Sequence, residues 1–333
     1  MVTTVACLLA GGTGTRLYPA STPATPKQFR SFGGDRTLFE RAVDRAGFAD
    51  HVCAVTRAAY ADRVRAALGD DAVFVEPAPR DTGPATVYAA HRVRETFGDC
   101  AMVVLPTDHH VAGAFAATAR RACRAAVETD GLVCVGVDPD RPATGYGYVA
   151  PGRFSGGRAP VEAFREKPDR ETAREYLDAG WLWNAGVFAW RPTALLRAAR
   201  DSPLASLVDA LDRGDPAAGF AAVDPVSVDV AVMERTADAV VVPADFEWDD
   251  LGTWDAVGRH LPTDGAGNDV AGETHAVDAT GNVLVGADAH VGVVGVDDLV
   301  VAAYGDRVLV APRAESDRVR ELVASLDRAA DRE

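Results

Sequence analysis

The chain is almost without lysine. It carries 34 basic side chains in 333 residues, yet only Lys27 and Lys167 are lysines. Positive charge as a whole is short: 49 acids outnumber the bases, and the formal net charge is −15. That balance disfavours a nucleic-acid surface, which has to attract phosphates rather than repel them. Long hydrophobic runs are missing too. The opening apolar run, residues 5–10, is too short for a signal-peptide core, and no stretch approaches the roughly 18 apolar residues of a membrane span, so a cytoplasmic protein is expected. Cysteine is scarce, and Cys7, Cys53, Cys100, Cys123 and Cys134 are odd in number and form no CxxC. They read as reduced core residues, which argues against a disulfide framework and a thiolate metal site. The seven histidines lack HxxxH spacing, so His109 and His110 are expected to play no metal role.

Acid excess with lysine scarcity fits a high-salt cytoplasm, where solvated carboxylates keep a protein soluble; GC-rich coding would leave the same arginine bias. Hydrophobic residues make up 48% of the chain, ample for a core, and the length predicts about two domains.

Short apolar runs at 5–10, 52–56, 73–76, 102–105 and 132–137 alternate with amphipathic segments at 38–46, 59–68, 85–95 and 114–128. Strand, helix, strand at this spacing predicts a parallel sheet wrapped by helices. Ligands of such sheets bind at the carboxyl ends of the strands, which singles out the residues after Ala10, Glu76 and Leu105. The middle of the chain mixes strands (147–150, 161–166, 184–190, 239–243) with helices (170–179, 226–235). Residues 262–272, rich in Gly, Asp and Pro, read as a boundary. Short valine-rich strands broken by Gly and Asp, such as those at 276–285 and 291–309, and a helix at 316–330 follow. Most of the five tryptophans are expected in the core.

Residues 9–29 read LAGGTGTRLYPASTPATPKQF. Gly11, Gly12 and Gly14 permit close backbone approach and positive φ, so successive N–H groups can face an anion. Arg16 and Lys27 add the cations that a triphosphate requires. The loop is no Walker P-loop, because GxxxxGK[ST] is absent. Nor is it a dinucleotide fingerprint, because Leu17 stands where the last glycine of GxGxxG belongs.

GGxGTRLxP followed by PKQF resembles the signature of sugar-nucleotide pyrophosphorylases, and among them of mannose-1-phosphate guanylyltransferases. The resemblance continues in one register through EPAPRDTGPA (76–85), LPTDHHV (105–111), TGYGYV (144–149), FREKPD (164–169), WNAGVFAW (183–190), SVDVAVME (227–234) and WDDLGTW (248–254), and covers about residues 5–311. It implies an α/β, Rossmann-like nucleotide-diphospho-sugar transferase fold with a mixed, mainly parallel sheet, plus a small β-helix-like C-terminal domain. The domains expected are 1–261, catalytic, and 262–333, which in the family commonly helps to build homodimers. Too few residues follow Leu261 for a fused isomerase barrel, so a single-function enzyme is expected.

The resemblance also implies roles. Leu9, Ala10, Gly11, Gly12, Gly14, Thr15, Glu76, Thr82 and Pro84 would hold the nucleotide. Gly145, Glu166, Lys167 and Asn184 would hold the sugar 1-phosphate. Asp108 and Asp250 would bind Mg²⁺ or Mn²⁺, and Arg16, Lys27 and Lys167 would stabilise the reacting phosphates. Glu76 favours GTP, since a carboxylate accepts from both N1–H and the 2-amino group of guanine, whereas related thymidylyltransferases commonly carry an amide there. Three residues depart from the family pattern: Asp81 and Gly83 in RDTGPA, and Asp249, where an extra metal ligand and an acidic surface substitution are both open. Both lysines fall where the family places a compact charge on phosphate. The reaction expected is GTP plus α-D-mannose 1-phosphate giving GDP-mannose and pyrophosphate. Its rivals are dTTP or UTP with glucose 1-phosphate, opposed by Glu76 and the WNAG block, and a non-catalytic sugar-nucleotide sensor, opposed by the intact charged set.

Overall fold

The buried apolar runs become strands. In the computed structural model, which describes residues 2–330, the chain divides into two units. One holds residues up to 11, 42–107 and 111–248; the other holds 12–41, 108–110 and those from 249 on.

The first unit is built on a nine-stranded sheet of β1 (Thr4–Leu9), β2 (His51–Arg57), β3 (Val73–Glu76), β4 (Ala101–Pro106), β6 (Leu132–Val137), β7 (Tyr148–Pro151), β8 (Ala159–Arg165), β9 (Leu182–Trp190) and β10 (Ala239–Pro243), in the order β3-β2-β1-β4-β9-β6-β10-β8-β7. A separate ribbon pairs β5 (His110–Gly113) with β11 (Phe246–Asp249). Strands β3, β2, β1 and β4 are mutually parallel, as are β6 and β10. Strand β9 runs antiparallel between β4 and β6, which makes the sheet mixed, as expected. The helices are α1 (Leu38–Ala46), which leads into β2, then α2 (Ala61–Leu68), α3 (Thr82–Phe97), α4 (Phe115–Thr129), α5 (Arg170–Asp178), α6 (Pro192–Arg200), α7 (Ala205–Asp212) and α8 (Pro216–Ala221). Their starts follow local chemistry. Asp81, Asp169 and Asp215 cap α3, α5 and α8 by accepting from backbone N–H groups, and proline opens α6 and α8. The core between sheet and helices is apolar and includes Met102, Phe164, Phe188, Trp190, Leu195 and Phe220.

The middle of the chain differs from expectation in two places. Helices α6 to α8 fill residues 192–221, where no element is expected. The helix expected at 226–235 is a single π turn, Asp229–Met233. The valine-rich C-terminal strands are broken at Gly and Asp, as expected: Asp278, Gly281, Gly295, Asp298 and Gly305 all take positive φ.

The second unit contains β12 (Asp269–Val277), β13 (Val283–Val294), β14 (Leu299–Tyr304) and β15 (Arg307–Pro312), with α9 (Trp254–Gly258) and α10 (Val319–Ala330). Strands β12, β13 and β14 stack in parallel, and β15 closes the sheet as a hairpin. Parallel neighbours so close in sequence are successive coils of a β-helix. Two wholly buried asparagines hold the coils in register. Asn268 Oδ1 accepts from the backbone N–H and the side-chain amide of Asn282, and Asn282 Oδ1 accepts from Leu299 N. Leu17, Phe32, Leu251, Trp254, Val283, Val300 and Val319 share the core of this unit. No helix among the described residues is long and apolar enough to cross a membrane.

Candidate active site

The glycine-rich loop of the second unit is built around Lys27. Lys27 opens a short 3₁₀ turn, Lys27–Phe29, and only 4% of its surface is exposed. Its Nζ donates to the Asp250 main-chain oxygen at 2.6 Å and pairs with Asp108 Oδ2 at 3.0 Å. A buried ammonium needs such partners to remain charged. Gly14 makes the arrangement possible: at φ +60° it lies so close that a Cβ would sit 2.4 Å from Lys27 Cβ. Gln28 Nε2 donates to Gly12 O, and Ser21 Oγ to Thr13 O. The loop backbone is thus pinned from beneath, while Thr15 and Arg16 lie on the turn Thr15–Leu17.

Asp108 is the ionised carboxylate of this group. Burial works against its charge, but Lys27, with His109 beside it, holds it down at about 2. Asp250 turns its carboxylate onto Gly252 N at 2.8 Å. Among the described residues no three metal-binding side chains cluster. The Asp108 carboxylate pairs with Lys27, whereas Asp250 meets that lysine through its main-chain oxygen; carboxylates are hard ligands of the kind Mg²⁺ takes, one or two at a time, with water and substrate phosphates filling its shell. Asp249 is no surface substitution, one of the two readings that its sequence position leaves open. It is buried, with Oδ2 at 2.7 Å from Arg259 Nη2 and 3.3 Å from His260 Nε2. Burial opposes its ionisation, but His260 and Arg259 hold it well below the usual carboxylate range. His110 stacks on His260, with ring centroids 3.9 Å apart.

In the first unit, β1 and β3 deliver Leu9, Ala10, Gly11 and Glu76. Thr107 Oγ1 donates to Leu9 O, and Thr56 Oγ1 to Ala10 O. A Cβ on Gly11 would stand 2.9 Å from Glu76 Oε1, so glycine lets the strand end pass the carboxylate. Burial pushes Glu76 up to about 7, although Arg57 Nε lies 3.5 Å from Oε1 and pulls the other way. Glu76 Oε2 is buried without a hydrogen-bond partner. A stranded acceptor of this kind is costly unless a ligand supplies donors.

Thr82 and Pro84 lie in the first turn of α3. The Thr82 hydroxyl accepts from Val228 N at 3.1 Å, and Pro84 is buried. Both departures in this block have structural reasons. Asp81 caps α3 from positive φ, and a Cβ on Gly83 would lie 2.6 Å from Val226 O.

The sugar-phosphate candidates Glu166, Lys167 and Asn184 come together in the same unit. Lys167 Nζ pairs with Glu166 Oε1. Lys167 itself has φ +48°, strain of the kind that collects at functional sites. Gly145 lies in open space, whereas a Cβ on Gly147 would stand 2.5 Å from Glu166 Oε2. The close-approach glycine is therefore Gly147, a residue of the same TGYGYV block to which the sequence alone assigns no role. Arg57 was also missed; its one signal is its position at the end of β2, next to the end of β3. Trp190 and Trp254 are fully buried, as expected, while Trp183 and Trp248 pack with Tyr146 in an aromatic cluster.

Comparisons with known proteins show the family. The family described as nucleotidyl transferase matches residues 5–263, and a domain described as MannoseP isomerase/GMP-like beta-helix matches residues 272–326. The chain is 33% identical to a mannose-1-phosphate guanylyltransferase of Sinorhizobium fredii, covering 97% of this chain and 67% of that protein. It is 36% identical to the xanthan biosynthesis protein XanB of Xanthomonas campestris, with 96% and 72% covered. Among solved structures, one described as mannose-1-phosphate geranyltransferase from Thermus thermophilus superposes with a TM-score of 0.88 at 34% identity, covering 97% of this chain and 99% of that one.

Proposed function

The chain belongs to the nucleotidyl transferase family, and from that premise we propose that it transfers GMP from GTP to α-D-mannose 1-phosphate, giving GDP-mannose and pyrophosphate. The observation that carries the reaction class is the buried Lys27 ammonium, held by Asp108 and the Asp250 main chain at the foot of a glycine loop. Relatives named mannose-1-phosphate guanylyltransferase support the substrate pair.

The nucleophile is the phosphate of the sugar 1-phosphate, already anionic at neutral pH, so no general base and no covalent intermediate are needed. An oxygen of that phosphate attacks the α-phosphorus of GTP, and the bond to the departing pyrophosphate breaks. What remains for the protein is positioning and charge. Lys27 and Arg16 stabilise the leaving pyrophosphate, and the loop N–H groups of Gly11, Gly12, Gly14 and Thr15 steady the triphosphate. Lys167 holds the attacking phosphate. Glu166 and Asn184 take the sugar hydroxyls, as paired carboxylate and amide groups do well. The unpartnered Oε2 of Glu76 accepts from guanine, and Leu9, Ala10, Thr82 and Pro84 shape the nucleotide pocket. Asp108 and Asp250 would hold Mg²⁺ or Mn²⁺, which supplies charge neutralisation at the reacting phosphates when bound.

The proposal extends to setting. GTP as substrate and five free cysteines suit a reducing cytoplasm. Residues 1–261 would act as the catalytic domain and 262–333 as a small β-rich domain. A homodimer through that domain is supported by Val308 and Val310, both over 60% exposed on edge strand β15; sedimentation at a single-subunit mass would count against it. Salt adaptation is supported by the net charge of −15, and highest activity near zero salt would count against it.

The decisive experiment is pyrophosphate release with five nucleoside triphosphates crossed against mannose and glucose 1-phosphates. Fastest turnover is expected with GTP and mannose 1-phosphate. Preference for dTTP or UTP with glucose 1-phosphate would replace the substrate pair, and silence in every combination would replace the activity.

A further inference from the structure

The block SVDVAVME matches the family register, yet none of its residues acts on a substrate in the proposed reaction. It folds as the π turn Asp229–Met233, closed by Glu234 N donating to Asp229 O at 2.9 Å, five residues back. An α-helical turn would set residues five apart well round the axis from each other. The wider π turn brings Asp229 and Glu234 back to nearly the same side, and both side chains then act on one pair of neighbours. Asp229 Oδ1 accepts from Asn184 Nδ2 at 2.7 Å, and Glu234 Oε1 accepts from Glu166 N at 2.9 Å.

The consequence for Asn184 is specific. Its Oδ1 accepts from Gly186 N at 3.0 Å while its Nδ2 donates to Asp229. An asparagine amide has two nearly isosteric orientations, and these two bonds select one. Oδ1 keeps a free lone pair and Nδ2 a free N–H, each in a fixed direction. Glu166 is fixed from a different side, with its backbone on Glu234 and its carboxylate against Gly147 and Lys167.

We propose that Asp229 and Glu234 are positioning residues that fix the Asn184 amide and the Glu166 backbone, and so set which sugar 1-phosphate hydroxyls the site accepts. The inference rests on the assignment of Glu166 and Asn184 to the sugar. Burial, with the charge of nearby Glu166, pushes Asp229 up to about 7. A carboxyl placed at such a cost to its ionisation points to a geometric task.

The test uses the full-length enzyme with Asp229→Ala and Asp229→Asn, and separate KM values for GTP and mannose 1-phosphate. Asp229→Ala is expected to raise KM for mannose 1-phosphate at least tenfold, to leave KM for GTP within twofold, and to narrow the preference for mannose over glucose 1-phosphate. Asp229→Asn keeps an oxygen acceptor of the same size and is expected to restore KM for the sugar phosphate to within threefold of wild type. Should Asp229→Ala not fold, the half-buried Glu234→Ala carries the same test, with a sugar KM raised about threefold. Sugar and GTP KM values that move together, or a sugar KM that does not move, would overturn the inference. A wild type that turns over no sugar 1-phosphate would overturn the proposed function itself, a distinguishable outcome.

Discussion

The phosphate-handling region of the second unit is finished by folding, whereas the substrate-selecting region of the first unit is not. Lys27 is buried, and its partners Asp108 and the Asp250 main chain are in place. Lys167 leaves 54% of its side chain exposed, at positive φ, with Glu166 as its ion-pair partner. Around the first lysine the carboxylate is driven to ionise. In the other unit, burial pushes Glu76 up to about 7, and Glu76 Oε2 has no partner. A preformed charge acts on the transition state without reorganisation. Charges left incomplete are completed by the right substrate, which is how polar groups discriminate between ligands.

The largest expected break in this comparison is at Lys27. Lys27→Ala removes a preorganised charge and should lower kcat on the order of 10²-fold or more, read from initial rates of pyrophosphate release at saturating substrates. Near-normal turnover would remove Lys27 from the mechanism. Lys27→Arg should recover little, because the guanidinium is larger than the slot between Gly14 and Asp108 allows. Lys167→Ala should act mainly on binding. A charge-assisted phosphate contact corresponds to roughly 10- to 100-fold in affinity, so KM for mannose 1-phosphate should rise by about that factor, with KM for GTP little changed. Lys167→Arg should be the milder change, since an exposed side chain has room to adjust. If arginine serves equally well at both positions, the contrast between a finished and an unfinished region fails. The survival of just these two lysines in an arginine-rich chain would then be left without a physical reason.

The sequence made the first region legible for a reason visible in the structure. Gly14, Lys27 and Gln28 are close in sequence and constrain one another directly, so a short motif carries most of the geometry. The ends of β1, β3 and β4 were legible for the same reason, because short buried runs have one period and one place in a parallel sheet. The second region was less legible. The task of Asp229 depends on one extra residue in a helical turn, and apolar periodicity reads a π turn as an ordinary helix. Arg57 meets Glu76 across a strand pairing that no local pattern encodes. The β-helix coils were legible as short strands broken at Gly and Asp, but their stacking register rests on Asn268 and Asn282, which no local period marks. Sequence position alone left Asp249 open between an extra ligand and a surface acid, because its burial against Arg259 and His260 depends on residues ten and eleven positions on.

The smallest expected effect is also the one that sharpens the comparison most. Glu76 has a folded pKa of about 7 against an ordinary value of 4.5. Its ionisation therefore disfavours the fold: stability present at low pH is lost as pH rises from about 4.5 through about 7. Guanine reverses the balance, because its two donors favour the carboxylate. GTP binding should then release a proton from Glu76 near neutral pH, and apparent GTP affinity should fall as pH drops below 7, by close to tenfold between pH 8 and pH 6 for a single group of this pKa. The triphosphate titrates in the same range, so the informative quantity is the difference between wild type and Glu76→Gln. The variant should lose the part of the pH dependence that belongs to residue 76 and some of its preference for GTP over ATP, while kcat, governed by Lys27 in the other unit, changes little. Identical pH profiles for the two proteins would show that Glu76 does not titrate on guanine, and that the first unit is as complete before substrate arrives as the second.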